Sequence, residues 1–230
     1  MVPRLLFYCR RFNTLVCLAI FVFMFSGSPP ALAHPHSWVD MKTHIEGKEG
    51  VITGFQMEWT FDAMSSAFML EGEKKSPQEL QKALEELVAS VMENIKKEHY
   101  FTHFLDGDRT IGLSTATDAK FHRNRARLVL TFNLPLLKPE PLKKDSLKLQ
   151  IFEPTHYTDM SWPAKSSVSL SDELAKQCEL ELVPPNPTPQ QMSYALTLSE
   201  DADPDNTLGQ IFTQSIRFHC SVESGKEVRP

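Results

Sequence analysis

Between Ser37 and Phe61 the side chains alternate with period two, interrupted only at Gly47-Lys48-Glu49-Gly50, which carries the glycines of a hairpin turn. Val39, Met41, Thr43 and Ile45 form one row, and Trp38, Asp40, Lys42, His44 and Glu46 form the other. Beyond the turn, Val51, Thr53, Phe55, Met57, Trp59 and Phe61 alternate with Ile52, Gly54, Gln56, Glu58, Thr60 and Asp62. Successive side chains of a strand point to opposite faces, so both rows are explained by two antiparallel strands that each turn one face into a core.

A helix start is the next clear signal. Ser76 as N-cap, Pro77 at the first helical position and Glu79 at the third make a capping box. Leu80, Ala83, Leu84, Leu87, Val88, Val91, Met92 and Ile95 then recur at helical spacing, which predicts an amphipathic helix over 77–97. Lys96 and Lys97 suit the negative end of its dipole. Residues 63–70 read as a short helix or broad turn. Strands are expected over 100–105, 110–115 and 126–133, with turns at Asp106-Gly107-Asp108 and near Arg123-Asn124. Pro135, Pro139 and Pro141 are expected to break the last of these. Further strands are predicted from Leu147 through Ile151, over 168–170 and 179–183, and from Leu208 to Val222, with a polar turn from Ser171 to Gln177. The interval 184–209, rich in proline and then acidic, reads as an irregular excursion. Without repeats or a second boundary signal, the fold class is α+β: a single, mainly antiparallel, sandwich-like β domain with one long helix inserted.

Ahead of this domain, Arg4, Arg10 and Arg11 precede eleven apolar residues from Leu15 to Phe25, then the breaker Gly27-Ser28-Pro29-Pro30 and Ala31-Leu32-Ala33. These are the parts of a secretory signal peptide with an A-x-A cleavage site. The apolar run is short of the roughly 20 residues that span a bilayer. Cys17 lies inside it, without the small residues of a lipoprotein site. The expected organisation is a signal peptide over 1–33, one soluble exported domain over 34–223 and a frayed tail over 224–230.

Cleavage would remove three basic and no acidic residues, leaving 21 Lys+Arg against 29 Asp+Glu, a net charge of −8. Such a surface repels polyphosphate, so nucleic acid is not an expected partner, and cations suit it better. Cys9 and Cys17 leave with the signal, while Cys178 and Cys220 remain in an oxidising compartment. Two thiols allow one intramolecular pairing, and that disulfide is predicted.

Five stretches, His34-Pro35-His36-Ser37-Trp38-Val39-Asp40, Glu58-Trp59-Thr60-Phe61-Asp62, Tyr100-Phe101-Thr102-His103, Leu130-Thr131-Phe132-Asn133-Leu134-Pro135 and Phe152-Glu153-Pro154-Thr155-His156-Tyr157, occur in this order along the chain. Together they resemble a family of exported bacterial proteins described as domain of unknown function 1007, often labelled periplasmic components of uncharacterised transport systems. The resemblance implies a periplasmic location, a metal-handling role and an inner-membrane permease of the nickel/cobalt type as partner. Many relatives carry an acidic loop resembling a calcium site before the Ser-Pro helix start. Here Glu71-Gly72-Glu73-Lys74-Lys75 stands in its place, and two lysines beside two carboxylates cannot supply the six to eight oxygens calcium takes.

If cleavage follows Ala33, His34 becomes the N-terminal residue, with a free amine and an imidazole, and His36 is next but one. In an extended chain the two rings share a face about 6.6 Å apart. Amine and imidazole nitrogens together chelate zinc, copper or nickel, an arrangement similar to a histidine brace. Pro35 has no amide proton, which argues against the amino-terminal motif built on deprotonated amides. His156 is the best distant candidate ligand, Asp40 and Asp62 are candidate carboxylate ligands, and Glu58 and Tyr157 candidate supports that orient them. The same histidines also fit a polar N-terminal strand that meets only water and carboxylates. His99 and His103 have the spacing of a helical chelate, but the helix is expected to end between them.

No nucleophile elbow, phosphate loop, dinucleotide fingerprint or His-Glu-x-x-His is present, so an enzyme is not the expectation. The reading that results is a periplasmic accessory protein that captures or delivers a divalent transition metal, nickel, cobalt or zinc, for an inner-membrane transporter. Its alternatives are a non-metal interaction module that docks on a membrane protein, and a copper redox enzyme with an N-terminal brace.

Overall fold

The alternating stretch folds as its pattern dictates. In the computed structural model, which describes residues 35–70, 76–143, 145–198 and 207–221, β1 (Ser37–Lys48) and β2 (Val51–Phe61) form an antiparallel hairpin. Glu49 and Gly50, between them, have φ of 54° and 76°. That is the mirror-image turn whose twist matches the strands it joins. Val39, Met41, Thr43 and Ile45 are buried along β1, while Trp38, Asp40, Lys42 and His44 face outward or sit at the margin.

Two sheets are stacked into a sandwich-like α+β domain. The first runs β5 (Thr117–Asn124), β6 (Arg127–Pro141), β2, β1 and β8 (Thr158–Ser161), and β9 (Val168–Leu170) also pairs with β1. The second runs β10 (Cys178–Val183), β11 (Ser215–Cys220), β7 (Leu147–Ile151), β3 (Thr102–Asp106) and β4 (Arg109–Thr110). All pairings are antiparallel except β8 and β9, which lie parallel to β1 and share its edge. The sheets meet at Phe55 and Phe104, edge to face at 5.2 Å, and Phe104 also packs on Phe218 at 5.8 Å. Nearby, Trp162 donates its Nε1 proton to Thr43 Oγ1 at 3.1 Å, so the buried indole is satisfied as well as packed.

Helix α1 (Ala63–Met69) follows β2 directly, and α2 (Pro77–Lys97) is the predicted long helix with its capping box intact: Ser76 Oγ accepts from Glu79 N, and Glu79 Oε2 accepts from Ser76 N. Leu84 and Ile95 of α2 reach the common core, where Leu80, Leu87, Val88, Val91 and Met92 pack against it. Cys178 and Cys220 face each other across β10 and β11 and are joined in the predicted disulfide.

Several local expectations are corrected. The prolines do not stop β6, which continues to Pro141. Beyond Asn133 its regular pairing to β5 has ended, so a residue without an N–H is tolerated on that side. On its other side Gly54 lies opposite Pro135, where an added Cβ would stand 2.8 Å from the Leu134 carbonyl oxygen. Residues 99–101 are not strand but a tight turn with φ of 51–55°, held where the Tyr100 hydroxyl accepts from Ala116 N at 3.0 Å. β5 escaped prediction because it is an edge strand that buries only Phe121. Within 110–115 only Thr110 is strand, although Leu113 bridges to Leu136.

The polar turn after β9 holds the short helix α3 (Asp172–Ala175). Within 184–209 there is a helix, α4 (Pro189–Thr197), started by a second capping box from Thr188 and Gln191. Residues Leu208–Phe212 form α5 before the last strand begins. Residues 1–34, 71–75, 144, 199–206 and 222–230 lie outside the described residues. The expected cleavage, the role of His34 and the loop that replaces a calcium site therefore lie outside them too. Among the described residues no helix is long and apolar enough to cross a membrane.

Candidate functional site

The edge where β8 runs parallel to β1 gathers most of the candidate residues. Register pairs Ser37 with Thr158, Trp38 with Asp159, Val39 with Met160 and Asp40 with Ser161. Just before β1, the backbone N–H groups of His36 and Ser37 both donate to the Tyr157 carbonyl oxygen, at 2.9 and 3.3 Å. The His36 and Tyr157 rings lie 4.9 Å apart. His36 is thereby brought to the residue next to His156, from a distant part of the chain.

The loop that carries His156 is built around one carboxylate. Glu153 accepts from the backbone N–H of Thr155 at 2.9 Å and of Tyr157 at 2.8 Å, and from the Thr155 hydroxyl. This closes the chain tightly enough to put His156 at φ 59°, a conformation that costs a non-glycine residue energy and is held here by the loop's own hydrogen bonds. α5 buttresses the loop from outside. Gly209 N donates to the Pro154 carbonyl at 2.8 Å, a Cβ at Gly209 would collide with the Glu153 carbonyl oxygen, and the His156 ring stacks on Phe212 at 4.9 Å.

Asp159 is the residue that sequence reasoning missed. It is half-buried, and among the described residues no hydrogen bond reaches its carboxylate. Burial pushes its pKa up, the nearby His156 pulls it down and the nearby Asp40 pushes it up, with a net rise above the ordinary carboxylate value. Asp40 is itself bound to Arg127 Nη1 at 2.8 Å, an ion pair from β1 across to β6. Asp159 is thus a half-buried carboxylate that feels the charges of both His156 and Asp40, the kind of perturbed group found at functional sites. The alternation of β8 carried the signal, but four residues after a proline loop were too few to read as a strand.

The remaining candidates lie elsewhere. Asp62 is the N-cap of α1, accepting from the N–H of Met64 at 2.8 Å and of Ser65 at 3.0 Å, from the Ser65 hydroxyl, and from Trp38 N at 3.1 Å. Burial pushes its carboxyl up, but these hydrogen bonds outweigh it and hold the group below its ordinary value. Glu58 pairs with Lys42 at 2.9 Å on the outer face of the first sheet. His103 stacks on Phe152 at 4.4 Å, and burial, then His99, push its ring pKa down. His219 lies on the second sheet between Asp145 and Glu181, at 3.0 and 3.2 Å. Among the described residues no three His, Cys, Asp or Glu side chains converge closely enough to hold a metal ion.

The fold and this edge define an α+β sandwich with a histidine and carboxylate rim at the start of its first strand. The chain belongs to the family described as protein of unknown function (DUF1007), whose model matches residues 18–220. An uncharacterised protein of Haemophilus influenzae is 33% identical to it over 192 residues, covering 82% of this chain and 92% of that protein.

Proposed function

We propose that the protein is an exported, periplasmic accessory protein that captures or delivers a transition-metal ion for an inner-membrane transporter. One observation carries the reading: the parallel β1–β8 pairing seats His36 against the His156 loop, beside a half-buried Asp159 that no hydrogen bond among the described residues satisfies. The metal is cargo. Imidazole nitrogens with a carboxylate suit nickel, cobalt and zinc. The described side chains supply an incomplete set, and in this reading the amine and ring of His34 complete it after cleavage. Asp40, paired with Arg127, is already engaged and is not needed as a ligand in this reading.

Calorimetry on protein that begins at His34 tests the proposal. One nickel, cobalt or zinc ion per chain is expected to bind more tightly than about 10 μM, about −6.8 kcal/mol. The His36→Ala and His156→Ala variants should each weaken it by about tenfold or more, about 1.4 kcal/mol. Absence of binding in the processed wild type would overturn the reading.

A second reading, a docking module without metal, is favoured by the outward display of Phe68, 85% exposed, and Met64, 68% exposed, beside Tyr157. It predicts that function in cells is lost in Phe68→Ser and retained in His36→Ala, the reverse of the metal reading.

A further inference from the structure

His36 also lines a cleft of about 340 Å³ together with Met64, Met69, Phe61 and Phe68. Both thioethers come from α1, Met64 near its start and Met69 as its last residue. That helix is anchored firmly on its polar side. Asp62 caps it, Ser66 Oγ donates to the Asp62 carbonyl at 2.6 Å and accepts from Leu128 N at 2.8 Å, and Ser65 Oγ meets Ser37 Oγ at 2.8 Å. The three serine and aspartate anchors fix the helix and leave Met64 and Phe68 exposed at the cleft. Met69 reaches the same cleft from a half-buried position, packed on its other side against the core.

The chemistry of the cleft differs from that of the carboxylate side of the rim. Thioethers are soft, neutral donors that favour copper(I) over nickel, cobalt or zinc. The cost of bringing an ion into apolar surroundings grows with the square of its charge, so a divalent ion is penalised about four times as much as a monovalent one. Phe61, Phe68 and Tyr157 also line the cleft and make its surroundings largely apolar. Methionine also serves where cysteine does not, because a thioether forms no disulfide in an oxidising compartment.

We propose that His36, Met64 and Met69 form a soft-metal subsite that takes copper(I), next to the harder histidine and carboxylate side. The inference rests on the metal-handling reading and extends its cargo to a second chemical class. Because His36 serves both sides, the two ions compete for one chain.

The test is an anaerobic titration of the processed full chain with copper(I) against a chromophoric chelator, with zinc(II) and nickel(II) titrated in parallel. The Met64→Leu/Met69→Leu double variant keeps the volume and apolar character of the cleft, and its circular dichroism melt checks that it folds. The expected result is a loss of about tenfold or more in copper(I) affinity, about 1.4 kcal/mol, with zinc and nickel binding unchanged. Sulfur scatterers should appear in the copper X-ray absorption spectrum of the wild type and vanish in the variant. Copper(I) affinity that the double variant leaves intact, or a copper shell of nitrogen and oxygen alone, overturns the subsite while zinc or nickel binding keeps the parent reading. A chain that binds none of the three ions overturns both.

Discussion

Two histidine centres on this sandwich have opposite characters. At the end of the second sheet, both ring nitrogens of His219 meet carboxylates, Asp145 Oδ1 at 3.0 Å and Glu181 Oε2 at 3.2 Å, beside the Cys178–Cys220 bridge. Every partner there is engaged, and the centre fastens β11 to its neighbour β10. At the β1–β8 edge of the first sheet, Asp159 is half-buried, near enough to His156 and Asp40 to feel both charges, with no hydrogen bond from any described residue. The second sheet's centre is closed by covalent and ionic partners, whereas the first sheet's rim holds back a carboxylate. Satisfied groups stabilise; an unsatisfied one, kept in place by a loop with a left-handed residue, is where function is sought.

If the second sheet's end is a fastening, opening it should cost stability and leave metal binding alone. Replacing both Cys178 and Cys220 with alanine releases a loop with a sequence separation of 42. By chain entropy the expected loss is about 4 kcal/mol, readable by chemical denaturation. The same variant should bind zinc or nickel as the wild type does.

The rim should respond in the opposite sense. Asp159→Asn removes a charge that burial disfavours, so stability at neutral pH should hold or rise, while affinity for nickel or zinc falls by about tenfold, about 1.4 kcal/mol. The sign follows from the raised pKa. An acid whose folded-state pKa lies above its unfolded value favours the folded state when protonated, and that advantage is lost as pH rises through the window between the two. The wild type should therefore lose this increment above the ordinary aspartate range, and Asp159→Asn should not.

Asp62 gives a smaller effect within the rim's own scaffold. Asp62→Ala removes the N-cap of α1 and the acceptor for Trp38 N, with an expected cost of about 1 kcal/mol. Its carboxyl is held below the ordinary value, so its contribution is present at neutral pH and lost as pH falls through the depressed pKa. Measured from pH 7 down to pH 3, the stability gap between wild type and Asp62→Ala should close.

The smallest effect belongs to His219. The Asp145 and Glu181 hydrogen bonds raise its pKa, and the contribution is fully present below the ordinary histidine value and lost as pH rises through the raised one. Ring-proton NMR should show the His219 titration move down in Asp145→Asn.

What the sequence disclosed depended on how local each signal was. The hairpin from Ser37 to Phe61, the capping box at Ser76 and Glu79, and the Cys178–Cys220 pair were legible because each is written in a short span or in a count of two. The family resemblance also held. Apart from the β10–β11 contact that the predicted bridge implies, the second sheet's pairing and the parallel addition of β8 were not legible, because they depend on contacts between distant segments. For the same reason His156 could be nominated as a distant partner of His36, but not the backbone contact that brings its loop to β1. Asp159 was overlooked because a carboxylate declares its burial only once Trp38 and Met160 are known to flank it. The helix after Thr188 was hidden by its prolines, although Pro189 stands where a helix accepts one.

The central claim is that processing exposes His34 and completes a metal site at the rim. Intact mass of the protein recovered from the cells that produce it, under native and denaturing conditions, tests it most directly. The account predicts a denatured chain that begins at His34 and is two hydrogens lighter for its disulfide, and a native chain that carries one transition-metal ion. A chain processed at His34 that carries no ion, and takes none up when nickel, zinc or copper(I) is supplied, would contradict it.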